Sequence, residues 1–144
     1  MGNQEALNTY VILKFPGTEV PKQYMNWILS RWMRSYRHGN AYLKLASSDS
    51  YFAAYDYYIR FGLLNRPSSV VRLAVLNDDK DILLGFSVAR GDVLDYVYVQ
   101  KDFRRLGIAR KLIPFEVKTF THLTRIAMRL WSTKLPKAIF DPFH

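Results

Sequence analysis

The sequence predicts an α+β fold in which helices flank a mixed, mostly antiparallel sheet with an incomplete C-terminal half. Two observations support this class. Some segments alternate between apolar and polar residues as strands do, and others have the periodicity of helices. Their order along the chain predicts that neighbouring strands pair as hairpins. One apolar strand also runs into a basic, glycine-containing turn that opens a helix. The 144 residues are predicted to form a single domain over 1–144.

The N-terminal part is predicted to contain one strand and two helices. The strand covers 10–15 and ends at a Pro-Gly pair, and the first helix follows over about 21–36. A loop over 41–48 separates it from a second helix, over about 50–63, in which aromatic and aliphatic residues recur three or four positions apart. The segment Ser47–Asp49 supplies the candidates for its N-cap.

Three strands are predicted in the middle of the chain. They cover 70–76, 82–89 and 93–99. Short polar turns at 77–81 and 90–92 connect them as hairpins. The helix after the third strand is predicted over about 105–119, although Pro114 should kink it.

The pattern near the C-terminus fits two structures. Ile126, Leu130 and Trp131 have helical spacing, whereas Ile126, Met128 and Leu130 alternate as in a strand. We favour a helix over 122–134 followed by a short strand over 137–140, because Pro136 separates the two segments.

Composition excludes several classes of site. The chain has no cysteine, which excludes disulfides, zinc sites with thiolate ligands and a cysteine nucleophile. Its three histidines lack the spacing of metal ligands, so no metal is expected.

No signal-peptide pattern and no 18-residue apolar run are found, and we therefore predict a soluble, cytoplasmic protein without a membrane partner.

The segment from Val97 to Leu112 is the most informative part of the sequence. An apolar strand is followed by the turn Arg104-Arg105-Leu106-Gly107-Ile108-Ala109, which leads into an apolar helix. Backbone N–H groups at the start of a helix lack intrahelical partners, and the helix dipole is positive there. Together with the arginines they predict an anion site, for which a diphosphate is the natural occupant.

The turn resembles the Arg/Gln-x-x-Gly-x-Gly/Ala signature of the GNAT acetyltransferase superfamily, with Arg104, Gly107 and Ala109 at its fixed positions. The predicted order of elements over 10–119 is also the opening order of the GNAT fold. The resemblance implies acetyl-CoA as cosubstrate, no metal, and transfer of the acetyl group to an amine of a small molecule or protein. The net charge is +2 over residues 1–100 and +7 over 101–144, so the positive potential centres on the turn and would attract coenzyme A or nucleic acid.

The resemblance also implies which residues bind the coenzyme. Backbone N–H groups of Arg105 to Arg110 would bind the pyrophosphate, Arg104 and Arg105 would add charge, and the strand before the turn would pair with the pantetheine arm. The residues so implied are Val97, Tyr98, Val99, Arg104, Arg105, Leu106, Gly107, Ile108, Ala109 and Arg110. The alternative is an ordinary strand-to-helix turn without a ligand.

Asp95 is the leading candidate for the general base. It lies on the strand that would bear the thioester, and alternation places it on the apolar face of Val93, Val97 and Val99. The alternative is a structural ion pair with Arg72 or Arg90 on a neighbouring strand. Glu116 and His122 are weaker candidates, more typical of a surface charge and of a residue at a helix start.

Two features favour a second hypothesis, a catalytically inactive GNAT-like module that binds a protein or nucleic acid. The family's fourth helix is missing or displaced, so the chain is expected to be shortened at its C-terminal end. The family often places a tyrosine there as general acid, but no tyrosine follows Tyr98. An exposed strand edge at the shortened C-terminal end could be covered by a second copy of the chain, which would form a homodimer. Among the partners, nucleic acid ranks below acetyl-CoA.

Overall fold

The computed structural model describes residues 10–114, 116–123 and 137–144. Within them six strands form one sheet, and their order in the sheet is their order in the chain. The strands are β1 Tyr10–Pro16, β2 Ser69–Leu76, β3 Leu83–Arg90, β4 Val93–Val99, β5 Thr119–Phe120 and β6 Ile139–Phe140. The helices are α1 Lys22–His38, α2 Ser48–Tyr57, which continues as a π-helical turn over Tyr58–Leu63, and α3 Ile108–Leu112.

The sheet is mixed, as predicted. Strands β1 to β4 are antiparallel neighbours. Tight turns join β2, β3 and β4 as hairpins, whereas the two long helices lie between β1 and β2 in the chain. Strand β5 runs parallel to β4, and β6 runs parallel to β5. The predicted α+β class, with a mostly antiparallel sheet and flanking helices, is confirmed.

Each face of the sheet has its own core. On one face the helices α1 and α2 pack against the sheet, and Trp32 of α1 stacks on Tyr96 of β4 with ring centroids 5.0 Å apart. The other face is covered by α3, whose Ile108 and Leu112 are buried against β2, β3 and β4. The sheet therefore holds the end of β4 between the helix pair and the short helix.

The start of α2 is capped as the sequence predicts. The Ser47 hydroxyl oxygen accepts a hydrogen bond from the backbone N–H of Ser50 at 3.2 Å. We expect Ser47→Ala to lower the free energy of unfolding by about 1 kcal/mol, because a helix N–H then loses its partner. Denaturant titration measures this loss, and Ser50→Ala, which removes an exposed hydroxyl one turn later, is the control. Equal losses in the two variants would contradict the capping role.

The helix predicted over 105–119 is wrong in length. Helix α3 ends at Leu112, and Ile113 is extended, with φ −83° and ψ 125°, because the ring of Pro114 disfavours helical backbone before it. The predicted end of that helix instead forms β5. The strand predicted over 137–140 is present in shorter form as β6.

The helix predicted over 122–134 lies mostly outside the described residues. His122 and Leu123, the two residues of that range that the structure describes, are not helical. Residues 121–123 follow β5 directly and are not helical, so His122 does not begin a helix as predicted.

Candidate functional site

The described pairing of strands β4 and β5 is short. Their register joins Val93 to Thr119 and Leu94 to Phe120, and the Thr121 N–H donates to the Leu94 carbonyl at 3.1 Å. No described residue pairs with β4 on this side beyond that point, and Val97 is half-buried where the first residues of the strand are buried. We call the place where the described pairing of β4 with β5 ends, after Leu94 and Phe120, the fork.

A β-bulge lies at the start of the fork. Leu94 is opposite Ala89 and Tyr96 is opposite Val88, so Asp95 is an inserted residue of β4. As a result Leu94 and Val97, three positions apart, both pack in the same apolar cluster. The strict alternation that was expected to place Asp95 on the face of Val97 does not hold across the bulge.

Backbone groups of β4 face the fork. The Gln100 N–H donates to the carbonyl of Leu84, near the start of β3, at 2.8 Å. Because hydrogen bonding alternates along an antiparallel pair, the N–H and C=O groups of Val97 and Val99 point away from β3 and towards the fork. The Val99 carbonyl accepts a bond from Arg104 Nε at 2.8 Å, whereas the Val97 and Val99 N–H groups have no partner among the described residues. An extended ligand can pair with such an edge.

The glycine turn leaves a run of backbone donors free. Arg105 has φ 65° and Gly107 has φ 85°, so the chain bends through two left-handed residues. The N–H groups of 105–110 make no hydrogen bond within the part of the chain that the structure describes. A Cβ placed on Gly107 would meet no atom within 4 Å. The turn therefore has both the donors and the space that a diphosphate needs.

The arginines of the turn have different roles. The Arg104 guanidinium lies 5.7 Å from the centroid of the Tyr98 ring and, through its bond to Val99, holds the turn against the end of β4. Arg105 and Arg110 are exposed, so their charges are free to attract an anion. The structure thus gives Arg104 a bracing role that the sequence analysis did not anticipate.

Asp95 is paired with Arg90, which is one of the alternatives that the sequence left open. Arg90 Nε and Nη2 donate to its two carboxylate oxygens at 2.8 and 3.0 Å, and the Thr121 hydroxyl donates to Oδ1 at 2.8 Å. The exposed fraction of the Asp95 side chain is 0%. Arg72 instead lies in register with Lys14 and Ser87. The predicted catalytic role of Asp95 stays a prediction.

His122, a weaker candidate in the sequence analysis, is linked to Asp95 through the Thr121 hydroxyl. It is 7% exposed and lies among the rings of Trp32, Tyr36 and Tyr96, with centroid distances of 5.6, 4.9 and 5.7 Å. Its Nδ1 lies 2.9 Å from the Thr121 hydroxyl, and its Nε2 is hydrogen bonded to the Tyr55 hydroxyl.

Burial lowers the pKa of His122 to about 4, because the charged form loses its hydration. The carboxylate of Asp95 opposes this shift, and the charge of Arg90 adds to it. His122 is therefore neutral at pH 7. Threonines alternate with Phe120 and His122 over 119–122, a strand-like pattern that the sequence analysis did not use, since it ended one helix at about 119 and began another at 122.

Tyr57 is exposed on α2 and packs on Phe61 with ring centroids 4.8 Å apart. Over 10–114, 116–123 and 137–144, no three acidic or histidine side chains are grouped as metal ligands. In the same residues no helix has the length and apolar character needed to span a membrane.

Comparisons with known proteins give structural similarity only. No protein-family model and no curated protein sequence matches the chain. The fold is similar to apo YjaB from Escherichia coli, with 22% identity and a TM-score of 0.44, over 72% of this chain and 60% of that one. It is also similar to a putative GNAT family acetyltransferase from Staphylococcus aureus subsp. aureus, with 17% identity and a TM-score of 0.48, over 90% and 98% of the two chains. Because both TM-scores are below 0.5, these similarities say nothing about activity or the role of any residue.

Proposed function

We propose that this chain is an acyl-CoA-dependent N-acetyltransferase of the GNAT type, which transfers an acetyl group directly from acetyl-CoA to an amine. One observation supports the proposal above the others: the free N–H groups of 105–110 lie at the end of the strand whose edge opens at the fork. A diphosphate at the turn and an extended arm along β4 would then be parts of one ligand.

The residues of the site fit this ligand. Turn N–H groups would bind the pyrophosphate, with charge from Arg105 and Arg110, and open space over Gly107 would admit it. The N–H groups of Val97 and Val99 would pair with amides of the pantetheine arm, as an added strand does. When bound, acetyl-CoA supplies an activated acyl group whose carbonyl an N–H group in the fork can polarise.

Calorimetry with acetyl-CoA, followed by an assay of free thiol with a panel of amines, tests the proposal. We expect saturable binding and amine-dependent release of thiol. Absence of binding would overturn the proposal as a whole. Binding without thiol release for any amine would overturn only the enzymatic part of it.

The second candidate is an inactive GNAT-like module that binds a protein or nucleic acid. The burial of Asp95 and its complete pairing favour this candidate, because such a carboxylate has no free oxygen directed at a substrate. Binding of acetyl-CoA without turnover is the result that it predicts. A homodimer through an exposed strand edge stays a prediction for either candidate.

The Asp95→Asn variant tests the predicted catalytic role of this residue. If Asp95 takes part in proton transfer, directly or through its neighbours, thiol release should fall by about tenfold or more while acetyl-CoA affinity stays the same. Turnover equal to that of the unmodified protein would remove Asp95 from the mechanism. Thermal melting of the variant is the control, since the amide also weakens the pair with Arg90.

A further inference from the structure

We propose that Tyr55 is a catalytic residue that accepts a proton from the acceptor amine and returns it to the coenzyme sulfur. In this proposal His122 is its proton partner, and Thr121, Asp95 and Arg90 are positioning residues. The inference rests on the proposed acetyltransferase activity. It comes from a continuous chain of hydrogen bonds that runs from Arg90 to Tyr55 along the fork.

The hydrogen bonds fix the direction of this chain. Asp95 accepts two bonds from Arg90, so it is a carboxylate, and the single hydroxyl proton of Thr121 is donated to it at 2.8 Å. Thr121 Oγ1 must then accept from His122 Nδ1 at 2.9 Å, which places the ring proton on Nδ1. Nε2 is consequently an acceptor, and the Tyr55 hydroxyl donates to it.

The position of the chain is suited to the reaction. Asp95 is the first β4 residue after the last pair with β5, and Thr121 and His122 come directly after β5, so all three lie at the fork. These three residues are buried, whereas Tyr55 is half-buried. The chain of hydrogen bonds therefore runs from a buried carboxylate to a half-buried tyrosine.

The proton transfer balances without any further reactant. As the neutral amine attacks the thioester carbonyl, a C–N bond forms and the nitrogen becomes positively charged. Its proton passes to the Tyr55 oxygen while the Tyr55 proton passes to His122 Nε2. When the C–S bond breaks, the proton returns from Nε2 through Tyr55 to the sulfur, so the products are the amide and the free thiol.

The surroundings of His122 favour a brief stay of the proton. The ring is surrounded by the aromatic rings of Trp32, Tyr36, Tyr55 and Tyr96. The polar groups that face it are the Tyr55 and Thr121 hydroxyls and the backbone of Asp95, and beyond them lies the ion pair of Asp95 with Arg90. A ring with so low an affinity for protons gives its proton up readily to a thiolate. Asp95, acting through Thr121, stabilises the charged ring for the short time that it exists.

The Tyr55→Phe variant tests the proposal, and Tyr51→Phe is its matched control. Tyr51 stacks on Tyr55 with ring centroids 5.5 Å apart, but its hydroxyl donates to the Met33 carbonyl at 2.6 Å. Each variant loses one half-buried or buried hydroxyl from the same aromatic cluster. We expect kcat to fall by about 100-fold in Tyr55→Phe and to stay unchanged in Tyr51→Phe, with acetyl-CoA affinity unchanged in both.

A second measurement does not depend on activity. Nitrogen-detected NMR of the unmodified protein should show the His122 proton on Nδ1 and a bare Nε2. Thr121→Val should lower kcat, because it breaks the chain of hydrogen bonds between Asp95 and His122, while Thr121→Ser should retain it. A proton on Nε2, or an unchanged kcat in Tyr55→Phe, would overturn the relay while leaving the acetyltransferase proposal intact; loss of thiol release in the unmodified protein would overturn both.

Discussion

The Gly107→Glu variant should lose acetyl-CoA binding while it retains the fold. The space over Gly107 is open, so the new side chain fits without displacing protein atoms. Its carboxylate would lie among the free N–H groups of 105–110, compete for them, and repel a diphosphate. We expect affinity to fall by about 100-fold or more, which corresponds to about 2.7 kcal/mol of binding free energy. Calorimetry measures the loss.

Two control variants separate charge from backbone strain. Gly107→Ala has the same left-handed φ of 85°, which costs about 1 kcal/mol for a residue with a Cβ, but it adds no charge. Gly91→Glu adds the same side chain at another left-handed glycine, with φ 58° and open space, in the turn between β3 and β4. Both controls should bind acetyl-CoA, and equal affinity in Gly107→Glu would exclude the turn as the pyrophosphate site.

The sequence predicted those parts of the fold that local patterns determine. The hairpins of β2, β3 and β4 follow from alternation and polar turns, and the cap at Ser47 follows from its hydroxyl. The turn at Gly107 was identified because basic residues flank a glycine where a strand leads into a helix, and its role as an anion site stays a prediction. Each of these features depends on residues that are close together in the chain.

The parts that could not be predicted depend on contacts between distant segments. The bulge at Asp95 arises from the register of β3 against β4, which no pattern within β4 reveals. Strand β5 has only two residues, and it is a strand because β4 lies beside it and Pro114 has ended the helix. The cage around His122 combines residues of α1, α2 and β4. The sequence offered Arg90 as a possible partner of Asp95, but it did not predict Thr121 or the rings around His122.

Acid should destabilise this protein in a pH range set by His122. Burial holds the pKa of His122 at about 4 in the folded chain, against about 6.5 when the chain is unfolded. Between these values the unfolded state binds the additional proton, so the free energy of unfolding falls as the pH falls. The stability that depends on a neutral His122 is fully present above pH 6.5 and is lost by about pH 4. The difference between the two pKa values corresponds to about 3 kcal/mol in the free energy of unfolding.

Replacement of His122 by glutamine isolates this contribution, because the carboxylates that also titrate at low pH remain in place. Urea titrations at pH 7 and pH 4 should show that His122→Gln loses about 3 kcal/mol less than the unmodified protein between the two pH values. His38→Gln, which replaces an exposed histidine at the end of α1, should leave the pH dependence as it is. If His122→Gln and the unmodified protein lose equal stability between the two pH values, the pKa of His122 is the same in the folded and the unfolded chain, and burial does not lower it.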